Sequence, residues 1–98
     1  MENKKSFKLI EGQYDTDDAG RILVALISNK IKYHDVEAFR IQERSNGNVS
    51  HSEKRVKELT AVKEQIKQLV LDAAENGLDF KIRCDINIEL VPAKQLAQ

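Results

Sequence analysis

Phe80-Lys81-Ile82-Arg83-Cys84-Asp85-Ile86-Asn87-Ile88-Glu89-Leu90-Val91 is the stretch that decides the fold. Phe80, Ile82, Cys84, Ile86, Ile88 and Leu90 fall on one side, and Lys81, Arg83, Asp85, Asn87 and Glu89 on the other. Successive side chains of a strand point to opposite faces, so this alternation predicts one long strand with a dry face and a wet face. At 3.3 Å per residue it reaches about 40 Å. Pro92 closes it, and 92–98 is expected to be a loose tail.

Immediately upstream the period changes. Leu59, Val62, Ile66, Leu69 and Ala73 recur every three or four residues, with Val56, Val70 and Leu71 broadening the stripe. This predicts an amphipathic helix with a narrow apolar seam. Ser50-His51-Ser52-Glu53 has capping-box spacing at its start, and Asn76-Gly77 marks its end. Such a helix reaches about 39 Å, a length matched to the strand that follows.

The N-terminal half repeats the two patterns in the opposite order. Ser6 to Tyr14 predicts a first strand, in which Ile10 breaks the alternation and Gly12 suggests a bulge or a strand end. Asp15 or Thr16 can cap a helix, and Asp17 and Asp18 then lie in its first turn, where the helix dipole favours acids. Ala19, Ile22, Leu23, Leu26 and Ile27 give that helix a buried face from about 16 to about 30. Residues 31–45 fit two descriptions. Ile31, Tyr33, Phe39 and Ile41 alternate as on a strand, whereas Val36, Phe39 and Arg40 favour a continued or restarted helix from about Asp35. Ser45-Asn46-Gly47-Asn48 then forms a turn.

The order is therefore β-α-(α)-α-β: a single small α+β domain over 1–98, with two to three long strands in an antiparallel or mixed sheet packed against two long helices. Two strands alone make a marginal sheet with open edges. Self-association follows as an expectation, through strand edges or helical apolar surface, with a dimer favoured.

Composition narrows the chemistry. Sixteen basic residues balance sixteen acidic ones, so no field of one sign steers the chain to nucleic acid or an anionic membrane. The first residues lead into no apolar leader and no run is long enough to span a bilayer, which makes a cytoplasmic location the default. Cys84 is the single cysteine and belongs to the dry face, where a thiol behaves as a small hydrophobe. His34 and His51 stand apart without helical ligand spacing, so neither a metal nor a cofactor is expected. No phosphate loop, dinucleotide fingerprint or nucleophile elbow occurs.

What remains is Arg40-Ile41-Gln42-Glu43-Arg44, running into the turn. Two arginines around an acid can hold a phosphate or a carboxylate through bidentate hydrogen bonds. His34, Arg40, Glu43 and Arg44 are the candidate binding residues, with Tyr33 beside them. The sequence thus favours a non-enzymatic, self-associating interaction or structural protein. One alternative is a nucleic-acid-associated regulator using Lys4, Lys5, Lys8, Arg40 and Arg44. The other is a small ligand-binding domain with its site near Arg40–Arg44.

Overall fold

A computed structural model describes residues 3–45 and 47–93. Four elements follow in the order strand, helix, helix, strand: β1 (Lys4–Tyr14), α1 (Thr16–Ser45), α2 (Ser50–Glu75) and β2 (Phe80–Glu89). The chain is α+β, and its one sheet pairs β1 with β2. It divides into two compact units, a helical one over Tyr14–Phe80 and a ribbon built from the segments on either side of it.

The helical unit is an antiparallel hairpin. α1 runs for 30 residues without interruption, so residues 31–45 continue the first helix and supply no third strand. Its start follows from Asp15, whose Oδ1 accepts the Asp18 N–H at 2.8 Å, satisfying a donor that the first helical turn leaves free. Asp17 pairs with Arg21 one turn on, at 2.9 Å.

The start of α2 corrects the expected capping box. Val49 occupies the cap position and its side chain makes no capping bond, because Ser50 is already the first helical residue. Instead the Ser50 N–H donates to Asn48 Oδ1 at 2.9 Å, and the Glu53 N–H donates to the Val49 carbonyl at 3.0 Å. The far end of α2 ends as Asn76-Gly77 predicts. Gly77 sits at φ +65°, in the left-handed region. The Leu78 N–H then donates to the Ala73 carbonyl at 2.9 Å, and the Gly77 N–H to the Ala74 carbonyl at 3.4 Å. These two bonds make a Schellman turn, which ends the helix before β2.

The two helical stripes meet each other. On α1 the inward residues include Ala19, Leu23, Ile27, Ile31, His34, Ala38 and Ile41. On α2 they are Ser52, Val56, Leu59, Lys63, Ile66, Val70 and Ala73, spaced alternately four and three. This is a coiled-coil period, but its phase differs from the expected seam. Leu59, Ile66 and Ala73 belong to it, whereas Val62 and Leu69 flank it at 38% and 55% exposure. Gly20 of α1 faces Val70 of α2, and a β-carbon at Gly20 would lie 3.6 Å from the valine methyls.

The ribbon has a shift in register. Near Tyr14 and Phe80 the less exposed residues are Ile10, Gly12 and Tyr14 on β1, and Phe80, Ile82 and Cys84 on β2. Opposite residues of an antiparallel pair share a face, so here even-numbered residues face even-numbered ones. Towards the other end, the Leu90 N–H donates to the Asn3 carbonyl at 2.7 Å, and Ser6 Oγ donates to Asn87 Oδ1 at 2.8 Å. There, even faces odd. The two patterns fit together if β1 carries one extra residue between Ser6 and Ile10. Such a residue would be a β-bulge and would account for the break in alternation at Ile10.

Candidate functional site

The four candidate binding residues all lie on α1, which places them by helical geometry. At 3.6 residues per turn, Glu43 stands opposite His34 around the helix, and Arg40 is about a third of a turn away from it. The structure follows that geometry. His34 is 8% exposed and turned into the hairpin seam, while Arg40 and Glu43 are exposed. The side chain of Arg44 lies outside the described residues. His34 is therefore not grouped with Arg40 and Glu43. The proposed neighbour Tyr33 is 55% exposed, and its ring meets the His34 ring edge-on, with centroids 5.3 Å apart. Lys30 Nζ stands 4.5 Å from the Tyr33 ring centre, a cation–π contact at the surface.

The polar group that the seam does enclose is built from His34 on α1 and Ser52 on α2, which is 4% exposed. The Nε2 atom of His34 is buried and has no hydrogen-bond partner among the described residues. A cavity of about 240 Å³ adjoins it, lined by His34, Ala38, Ser52 and Val56, with the exposed side chains of Asp35, Glu53 and Lys57 beside them. Burial lowers the His34 pKa from its ordinary 6.5, because a charged imidazole loses hydration inside the seam. Lys30, Arg55 and His51 lower it further, and Glu37 opposes them. The imidazole is held neutral, able to accept or donate one hydrogen bond at Nε2. Sequence reasoning missed Ser52 as an interior residue. Its signal was the seam period, which reaches Ser52 seven residues before Leu59.

The remaining candidates are explained by local structure. Lys8, one of the lysines proposed for nucleic acid, pairs with Glu11 at 2.9 Å. Arg83 pairs with Asp85 at 3.1 Å on the wet face of β2. Cys84 is half-buried on the dry face. No group of three His, Cys, Asp or Glu side chains among the described residues could hold a metal ion. No described helix is long and apolar enough to cross a membrane.

No family model, curated protein or solved structure matches this chain.

Proposed function

We propose that this chain is a non-enzymatic, self-associating interaction protein. The observation that supports this is the ribbon. Among the described residues it has two strands, and a two-stranded ribbon is marginal in water without further packing. Its apolar residues also remain open: Phe7 is 53% exposed, Ile86 41%, Ile88 43% and Leu90 54%. Contiguous exposed apolar side chains mark surfaces that other molecules cover. The chemistry-bearing groups point the same way, since His34 lies inside a helical seam and Cys84 lies on an apolar strand face.

Light scattering coupled to size-exclusion chromatography, over a concentration series, tests this directly. A species of twice the 11.2 kDa chain mass is the expected result. A single-chain mass at every concentration removes the proposal.

One observation favours a second reading, a small-ligand domain: the unpartnered His34 Nε2 beside its cavity. A metabolite screen by thermal shift checks it. A hit that raises the melting temperature of the native chain but not of His34→Ala supports it, and a screen without hits removes it.

A further inference from the structure

The ribbon's two outer edges differ. β1 begins Lys4-Lys5 and adds Lys8. Its alternation also breaks at Ile10, as a bulge would make it do. Lysines and bulges are the devices by which edge strands avoid pairing with other chains. β2 carries a single lysine, Lys81, alternates without interruption from Phe80 to Glu89 and holds both signs of charge.

The direction of its backbone follows from one hydrogen bond. The Leu90 N–H turns towards β1. Alternate residues of a strand direct their N–H and C=O groups to the same side, so the even-numbered residues of β2 face β1. The odd-numbered ones, Lys81, Arg83, Asp85, Asn87 and Glu89, direct theirs to the edge that no described strand occupies.

Suppose a second copy adds at that edge, antiparallel and related by a two-fold axis perpendicular to the sheet. Such an axis keeps dry face with dry face, so it must pass beside one residue of β2. The charges discriminate among the possibilities. An axis at Ile82 sets Lys81 against the other copy's Arg83. One at Arg83 sets arginine against arginine, and one at Asp85 sets aspartate against aspartate. One at Ile86 creates no such clash but leaves the first part of the strand unpaired. An axis at Cys84 pairs almost the whole strand. It places Arg83 opposite Asp85 twice and Lys81 opposite Asn87 twice; the like charges it brings together, Glu89 and the other copy's Asp79, lie at the very end of the strand. Arg83 and Asp85, already paired within one strand, would form a four-membered ring of alternating sign across the axis. On the dry face Ile82 would meet Ile86, and Cys84 would meet Cys84.

We infer that the open edge of β2 binds a second copy of this chain in that register, giving a four-stranded sheet in the order β1-β2-β2-β1. This rests on the self-association proposed above and names its surface. Because odd-numbered residues face the edge, they form the hydrogen-bonded pairs, and the two Cys84 residues form a non-hydrogen-bonded pair on the axis. The α-carbons of such a pair lie about 4.5 Å apart, within the range that a disulfide spans.

The test combines solution mass with crosslinking of the full chain. Diamide, which takes up two electrons and the two thiol protons as the disulfide forms, should convert native protein to a covalent dimer. Protein unfolded in urea at the same concentration controls for random collision, and Cys84→Ser should abolish the product. Arg83→Asp should weaken association on the order of tenfold, since two attractive cross-strand pairs become repulsive. The double variant Arg83→Asp with Asp85→Arg should restore it. Both side chains lie on the wet face, and circular dichroism of the helices shows whether each variant folds. A dimeric mass with no native-state crosslink and no response to the charge swap overturns this edge while leaving self-association standing. A monomeric mass overturns both.

Discussion

The helical hairpin and the strand ribbon are built from similar residues and end in different conditions. Among the described residues the hairpin holds every buried group but Ile82 of β2, in a seam with coiled-coil spacing: Leu59 and Ala73 are 8% and 7% exposed. Its ends are closed by Asp15 and by the Schellman turn at Gly77. In the ribbon, Phe7 and Ile88 lie in a two-stranded sheet at 53% and 43% exposure. Local sequence is sufficient to complete a helical hairpin, because each helix brings a stripe that the other covers. A ribbon has two edges and two faces, and nothing in its own two strands can cover all of them.

The most severe way to break this contrast is Leu59→Ala. Removing a buried leucine from the seam should lower stability by about 2–4 kcal/mol, read by urea denaturation followed at a helical wavelength. If the cost is near zero, the seam is not what holds the hairpin.

His34 sharpens the comparison from inside the hairpin. Its pKa is lowered in the folded chain, so the unfolded chain takes up a proton first as pH falls. Full stability therefore holds above the unfolded value of 6.5 and is lost as pH drops from there through the folded value. His34→Leu should raise the melting temperature at neutral pH by removing an unpaired buried polar atom. It should also flatten the decline in melting temperature between pH 7.5 and pH 5. An unchanged slope would assign that decline to other groups.

Gly77→Ala acts at the hairpin's exit. A β-carbon at φ +65° is strained whatever the space around it, so the cost should be about 1 kcal/mol, with the loss visible as a lower thermal midpoint. The smallest effect belongs to the ribbon. Ile88→Thr should change the stability of dilute protein by less than about 0.5 kcal/mol, as at most exposed positions. The same substitution should reduce the dimeric fraction at high concentration. A large loss in dilute solution would mean that Ile88 supports the single chain.

The last strand and the second helix were legible because their periods are clean, and the first strand in spite of the break at Ile10. Phe80–Glu89 alternates without a break, and α2 runs from a turn to a glycine. The first helix was legible only in part. Ile31 and Ile41 lie on its inner side, while Tyr33 and Phe39 point outwards at 55% and 62% exposure. Two inward and two outward apolar residues at odd positions imitate a strand. The seam of α2 was read one step out of phase for a related reason. Its true positions include Ser52 and Lys63, which a count of apolar residues passes over in favour of Val62 and Leu69. The candidate site suffered from the same blindness to direction. His34, Arg40 and Glu43 are near in sequence, but a helix distributes them around its axis, and only the partner helix determines which one is enclosed.

The pairing of β1 with β2 has a consequence for synthesis. Ser6 and Asn87, hydrogen-bonded across the ribbon, are 81 residues apart. During translation β1 emerges first and waits, unpaired, while the whole hairpin is made and can fold. Closing so long a loop is slow compared with forming contacts between neighbouring helices. Over that interval β1 is a bare strand in a crowded cell, and Lys4, Lys5 and Lys8 then act as gatekeepers, keeping nascent chains from stacking before their own β2 arrives.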